Sequence, residues 1–411
     1  MNATQEALRT SKLIMVTANN NNKFYEMKES GDGTFEVKYG RVGTAGAFQN
    51  YPIAQWDRKY KEKIRKGYKD QSHLFAKPTE SLVSFEGMSD DTINSLIKTL
   101  YRYAQKSISQ HYNVTAEEVT QAQLEEAQAV LNQLVGAAKI GMDVQRFNQL
   151  LIELYQVIPR RMSSVTDHLA TSCNNAAELE EVNKLISQEQ ETLDVMEGQV
   201  KLTSQTEDAP REEKIDIIQK LGIDIKKVDD SKVIKNIQKM MGSEKGLIHQ
   251  VFEVSNKRTQ VAFDNYVASQ RHKKTTLFWH GSRNENWMSI LETGLVLRPT
   301  NAIISGKMFG YGLYFADKFK KSLNYSSLRG SYWAGGNSSQ AFLAIYDVYL
   351  GRSLKLRNHQ PWCYELNEEK LKERGRYNSL YAKGGADLIN NEYIVYNENQ
   401  CTIKYLVEVK K

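Results

Sequence analysis

The 411-residue sequence predicts a multidomain α+β protein of three units. These are a small antiparallel β module with one helix (1–82), an all-α helical bundle (86–200), and a mostly antiparallel pair of packed sheets (213–411). Two observations predict this order. Hydrophobicity alternates with a period of two over 12–41, recurs at helical spacing over 86–197, and returns as strand-like runs beyond 213. Charge changes sign at the same places: the net is +5 for 1–80, −10 for 81–210 and +11 for 211–411, within a total of +6.

In the first unit, Leu13–Val16, Lys23–Met27 and Thr34–Tyr39 alternate as strands, separated by Asn19–Asn22 and Gly31-Asp-Gly33, which are turn chemistry. Trp56 to Tyr68 then reads as a basic amphipathic helix ending at Gly67, with seven Lys/Arg against one acid between Arg58 and Lys69. On charge alone this helix is either a solvated face or a nucleic-acid face. In the middle unit, Thr115-Ala-Glu-Glu118 has capping-box form ahead of Leu124, Ala127, Leu131 and Leu134. Phe147, Leu150, Leu154 and Val157 make a second stripe that Pro159 stops, and an acidic helix runs from Ala177 to about Met196. Residues 198–212 read as a linker. In the last unit the strand-like runs are Val251–Val254, Thr276–His280, Ala341–Leu350, Glu392–Tyr396 and Ile403–Val409, with few helices.

Composition narrows the class. Forty per cent hydrophobic and 25% charged residues describe a soluble chain with enough apolar surface for several cores. The sequence has no apolar run long enough to span a bilayer, so no membrane partner is expected. The N-terminus lacks a basic stretch followed by an apolar one, so export is not expected either. Three scattered cysteines, Cys173, Cys363 and Cys401, form neither a disulfide framework nor a zinc set. No metal is expected.

Three short motifs carry the chemistry. Phe278-Trp-His-Gly-Ser282 is followed by Phe309-Gly-Tyr-Gly-Leu-Tyr-Phe-Ala-Asp317, then by Asn391-Glu-Tyr-Ile-Val-Tyr396. In this order they resemble the catalytic domain of the poly(ADP-ribose) polymerases, whose His–Tyr–Glu signature falls on His280, Tyr314 and Glu392. The resemblance runs over 213–411 and implies an ADP-ribosyltransferase fold, with NAD as the substrate and nicotinamide as the leaving group. Such an enzyme must orient a flat cation, stabilise positive charge at the anomeric carbon and admit a nucleophile on one face. By resemblance Glu392 is the carboxylate at the ribose. His280, Ser282 and Asn286 hold the adenosine ribose, and Gly281 meets the carboxamide through its backbone. Tyr314 and Tyr325 sandwich the nicotinamide, and Ser322 gives it a hydroxyl. Val296 stands where many members carry Arg, with Arg298 nearby, and Lys307 replaces an aromatic residue. There is no Gly-x-Gly-x-x-Gly after a strand, which disfavours a doubly wound dinucleotide fold.

The strand pair, Tyr39-Gly-Arg-Val-Gly-Thr-Ala-Gly46 and the helix entering on Trp56 resemble the WGR domain of the DNA-dependent members, with Tyr39 where Trp is expected. That resemblance implies DNA ends or nicks as partners, contacted by Tyr39, Arg41, Trp56 and Lys59. The Phe147–Pro159 segment resembles the family's regulatory helical domain, which obstructs the NAD site until DNA binds. Together these imply a DNA-activated polymerase modifying protein acceptors, itself included, in the nucleus of a eukaryote or the cytoplasm or nucleoid of a bacterium. An enzyme limited to single ADP-ribose units and a silent transferase fold acting as a DNA-binding scaffold are the alternatives.

Overall fold

The computed structural model describes residues 8–74, 90–111, 119–207, 218, 222–297, 308–328, 330–331, 334–335 and 338–411. Lys307 and Arg298 lie outside them. The chain divides into two compact units, Met1–Ser81 with Gln105–Met196 and Leu82–Ala104 with Glu197–Lys411.

In the first unit, β1 (Thr10–Thr17), β2 (Asn21–Glu29), β3 (Thr34–Arg41), β4 (Ala47–Pro52) and β5 (Lys69–Asp70) form one antiparallel sheet, ordered β4-β3-β2-β1-β5. Its tight turns use left-handed backbone at Asn20, Gly31 and Gly33. Leu13, Met15, Tyr25, Met27, Phe35 and Val37 point to one face and enclose Trp56 of α1 (Trp56–Arg65). The opposite-face residues Ile14, Val16 and Phe24 are buried as well. Helix α4 (Val144–Val157) covers that side of β1, and its Gln156 Nε2 donates to the Val16 carbonyl at 3.2 Å. That is why Leu13–Val16 reads as a continuous apolar run. Strand β4 escaped the sequence reading because nearly all of it is exposed at the sheet edge.

Between α2 (Asp91–His111) and α4 lies α3 (Gln121–Ala137). A capping box is formed by Thr120 with Gln123, and Thr115 and Glu118 lie outside the described residues. Thr120 Oγ1 accepts from Gln123 N at 3.1 Å, and Gln123 Oε1 accepts from Thr120 N at 3.0 Å. Gln at that position does the work expected of Glu. In α4 it is Leu151 rather than Leu150 that is buried beside Phe147 and Leu154. Helix α5 runs from Ala176 to Glu207, well past the expected stop near Met196. Gly198 does not break it. A Cβ there would lie 2.7 Å from Ser289 Cα, so the glycine permits close packing of two helices within the second unit.

That second unit is built on two sheets. β6 (Ile223–Lys227), β7 (Ile248–Asn256), β8 (Thr276–Gly281), β12 (Gln340–Val348) and β16 (Cys401–Lys410) form the larger one, antiparallel throughout in the order β6-β7-β16-β12-β8. The smaller contains β9 (Leu313–Phe315), β13 (Ser353–Leu356), β14 (Ser379–Ala382) and β15 (Glu392–Val395), ordered β13-β14-β15-β9, with β13 and β14 parallel. A two-residue hairpin pair, β10 (Gly330–Ser331) and β11 (Ala334–Gly335), stands apart. Helices Ser231–Met241 and Lys257–Ser269 make the unit more helical than its runs of apolar residues suggested. The larger sheet is buried on both faces. Phe278, Phe342 and Ala344 meet Trp287, Met288 and Leu291 on one side, together with Leu96, Ile97 and Leu100 of α2. Trp279, Leu343 and Ile345 meet Ile237, Met241, Phe319 and Leu323 on the other. Burial on both faces gives β12 its apolar run from Ala341 to Tyr346. Among the described residues no helix is long and apolar enough to cross a membrane.

Candidate active site

The motif residues meet where the two sheets of the second unit join. Trp279 of β8 and Ala316, just past β9, exchange both backbone hydrogen bonds, at 2.9 and 3.0 Å. This isolated bridge sets His280 beside Tyr314, although 34 positions separate them. His280 Nδ1 donates to the Tyr314 carbonyl at 3.1 Å, since a carbonyl can only accept. In the neutral ring Nε2 is then the acceptor. Trp287, Phe315 and Tyr346 pack around the imidazole with centroids 5.9–6.4 Å away.

Gly281 follows, and a Cβ there would fall 2.0 Å from the Ser322 carbonyl oxygen. Glycine is therefore required for a reason beyond ligand approach: the helix Phe319–Leu323 is pressed against this strand. Ser322 is 3% exposed, and its carbonyl also accepts from Tyr325 N at 3.0 Å, while the Tyr325 ring is half-exposed. Ser282 Oγ accepts from Asn286 Nδ2 at 3.0 Å just ahead of the helix Trp287–Thr293, so these two polar groups are already oriented.

Tyr314 is fixed at its far end. Its hydroxyl accepts from Phe309 N at 3.0 Å and donates to the Gly310 carbonyl at 3.2 Å. Burial, with the nearby Tyr396 and Glu392 adding to it, pushes this phenol well above its ordinary pKa, so it stays neutral. For Tyr325 partial burial and then the Glu392 carboxylate act in the same direction.

Glu392 begins β15 opposite Ala382. Its side chain is 7% exposed, and Oε1 pairs with the Lys321 ammonium, itself 13% exposed. Oε2 is buried without a hydrogen-bond partner among the described residues. One oxygen is thus anchored by a cation while the other keeps its acceptor capacity, as a carboxylate waiting for a hydroxyl would. Sequence reasoning missed Lys321. The only signal was its place immediately before Ser322.

In the first unit, Tyr39 on β3 is 39% exposed and Phe48 on the neighbouring β4 is 60% exposed, with Lys38 Nζ 5.5 Å from the Phe48 centroid. Lys59 lies 4.1 Å over the Tyr51 ring and Lys63 4.2 Å over Tyr25. Trp56 is not at this surface. It is 6% exposed and meets Phe35 edge to face at 5.0 Å. The Arg41 guanidinium is held by protein carbonyls, donating to Asn20, Met162 and Ser163 oxygens at 2.9–3.2 Å. Phe48 was missed because β4 carries little hydrophobic alternation.

Residues 227–411 match the poly(ADP-ribose) polymerase catalytic domain, and 12–74 match the WGR domain. The chain is 34% identical over 168 residues to a putative poly [ADP-ribose] polymerase-like protein, 100L, of Invertebrate iridescent virus 6, which covers 39% of this chain and 86% of that protein. Uncharacterized protein 101L of the same virus is 36% identical over 190 residues, covering 46% and 77%. Poly [ADP-ribose] polymerase 1 of Gallus gallus is 27% identical over 326 residues, covering 71% of this chain but 30% of that longer protein.

Proposed function

The chain belongs to the poly(ADP-ribose) polymerase family and is an NAD-dependent ADP-ribosyltransferase, and we propose that it elongates polymer on protein acceptors when DNA ends or nicks engage its WGR domain. The Glu392–Lys321 arrangement carries the elongation reading. NAD lies with its adenosine ribose at His280, Ser282 and Asn286 and its nicotinamide at Gly281 and Ser322, between the rings of Tyr314 and Tyr325. The glycosidic bond breaks with its electron pair passing to the nicotinamide nitrogen, which neutralises that ring and leaves an oxocarbenium-like ribose. Glu392 Oε2 accepts from a ribose hydroxyl and offsets the developing charge. When the acceptor is the hydroxyl of a growing chain, the carboxylate also assists its deprotonation as the new C–O bond forms. Lys321 keeps the carboxylate in place between these roles.

DNA enters through charge and stacking at Tyr39 of β3 and Lys59 of α1, with Arg41 ending the strand that carries Tyr39, so binding weakens steeply with salt. The catalytic unit includes the first part of α2 and the last part of α5, with Leu96, Ile97 and Leu100 in its core and Gly198 against Ser289. These helices are suited to restrain the site, and DNA activates by favouring an arrangement in which the restraint is relieved. The enzyme acts inside the cell, on proteins that include itself.

The test is incubation with labelled NAD, with and without nicked DNA, for the parent and Glu392→Gln. The expected result is DNA-stimulated polymer from the parent, a loss of elongation of roughly 10²–10⁴-fold in the variant, and residual single-unit transfer. Single units alone from the parent would favour the mono-transferase alternative, and no product at all the silent scaffold. Long polymer from Glu392→Gln at the parental rate would overturn the role of the carboxylate.

A further inference from the structure

The register between β9 and β15 ends at Phe315 opposite Tyr393. The next residue on the β9 side, Ala316, has turned to pair with Trp279 in the other sheet. The two strands therefore part at the point where Glu392 begins β15, so Glu392 keeps its ladder to Ala382 of β14 on one side and has no β9 partner on the other.

Side chains take over across that split. Asn391 Nδ2 donates to Asp317 Oδ2 at 2.8 Å, and the Tyr393 hydroxyl donates to the same oxygen at 3.3 Å. Asn391 Oδ1 accepts from Gly384 N at 3.0 Å, so the amide is held at both ends. Tyr393 is in turn stacked between Phe278 at 4.3 Å and Tyr381 at 4.9 Å. The residues on either side of Glu392 are thus tied to Asp317, three positions beyond Tyr314 in sequence.

We propose that Asp317 and Asn391 are a positioning pair that sets where the Glu392 carboxylate stands relative to Tyr314 and Lys321. The pair thereby governs the rate of glycosyl transfer without contributing to NAD affinity. This rests on the role assigned to Glu392 above. The hydrogen bond between Asp317 and Asn391 is solvent-exposed, so its share of stability is small. Its share of catalysis is not, because displacing a reacting group by about 1 Å can cost roughly 10²-fold in rate. The nicotinamide contacts at Gly281, Ser322 and Tyr325 come from other elements and do not depend on the pair.

The chemistry of the pair dictates the test. Asn391→Asp sets two carboxylates against each other. Asn391→Asp combined with Asp317→Asn restores one donor facing one acceptor with the polarity reversed. Nicotinamide release from NAD by the full chain, with nicked DNA present, gives kcat and KM, while nicotinamide affinity and Tm are measured alongside. Asn391→Asp is expected to lower kcat about 10- to 100-fold, with KM and nicotinamide affinity within twofold of the parent and Tm little changed. The reciprocal double variant is expected to recover most of kcat. An unchanged kcat in Asn391→Asp, no recovery in the double variant, or a parallel loss of kcat, nicotinamide affinity and Tm would each overturn the proposal. A parent that releases no nicotinamide would overturn the transferase reading itself, and the pair's role with it.

Discussion

Lys321→Met removes the cation from a pair buried on both sides. The Lys321 side chain is 13% exposed and that of Glu392 7%, and Glu392 Oε2 already lacks a hydrogen-bond partner among the described residues. Removing the ammonium leaves a carboxylate with neither oxygen compensated. Breaking a buried pair from one side costs roughly 3–5 kcal/mol. The residual exposure of Lys321 favours the lower end, about 3 kcal/mol. For a unit of this size each kcal/mol shifts Tm by roughly 2–4 °C, so a fall of about 6–12 °C is expected. Adding Glu392→Gln removes the buried charge as well, and at least half of the lost stability should return. Tryptophan fluorescence during urea unfolding reports on the relevant unit through Trp279 and Trp287, both fully buried in it, alongside Trp56 in the first unit. If the double variant loses the sum of the two single effects, the two groups do not interact, and the anchoring role of Lys321 is refuted.

Three further substitutions test packing. Arg41→Ala should weaken DNA stimulation, but it should also destabilise the first unit by about 2 kcal/mol even without DNA, because a charged donor to the Met162 and Ser163 carbonyls is lost. Thermal unfolding of the DNA-free protein checks this, and a variant as stable as the parent would show that those bonds contribute nothing. Gly198→Ala should cost about 1–3 kcal/mol by overpacking against Ser289. Gly136→Ala in α3, where the added methyl meets nothing within 4 Å, should instead gain up to about 1 kcal/mol. Equal effects of the two would remove the helix contact from the account.

Much of the protein was legible because it is locally encoded. Gly31 and Gly33 announce a hairpin through backbone that other residues rarely adopt, and Pro159 ends a helix whoever its neighbours are. The motif residues His280, Tyr314 and Glu392 carried their local context with them, so the reaction could be inferred before the fold. Periodicity told which strands bury a face. It could not show that β4 is an edge, nor that α5 continues through Gly198, where the local rule for glycine yields to a partner helix. Other features came only from tertiary structure. Lys321 meets a carboxylate 71 positions away, and the Arg41 guanidinium is taken by carbonyls more than 120 positions away. Asp317 faces Asn391 because one strand changes sheets at Ala316. A sequence fixes each residue's charge, shape and backbone preference, which act over a few positions. Which charge meets which is decided by strand register and by where two sheets part, and these emerge only when distant segments bury their faces together.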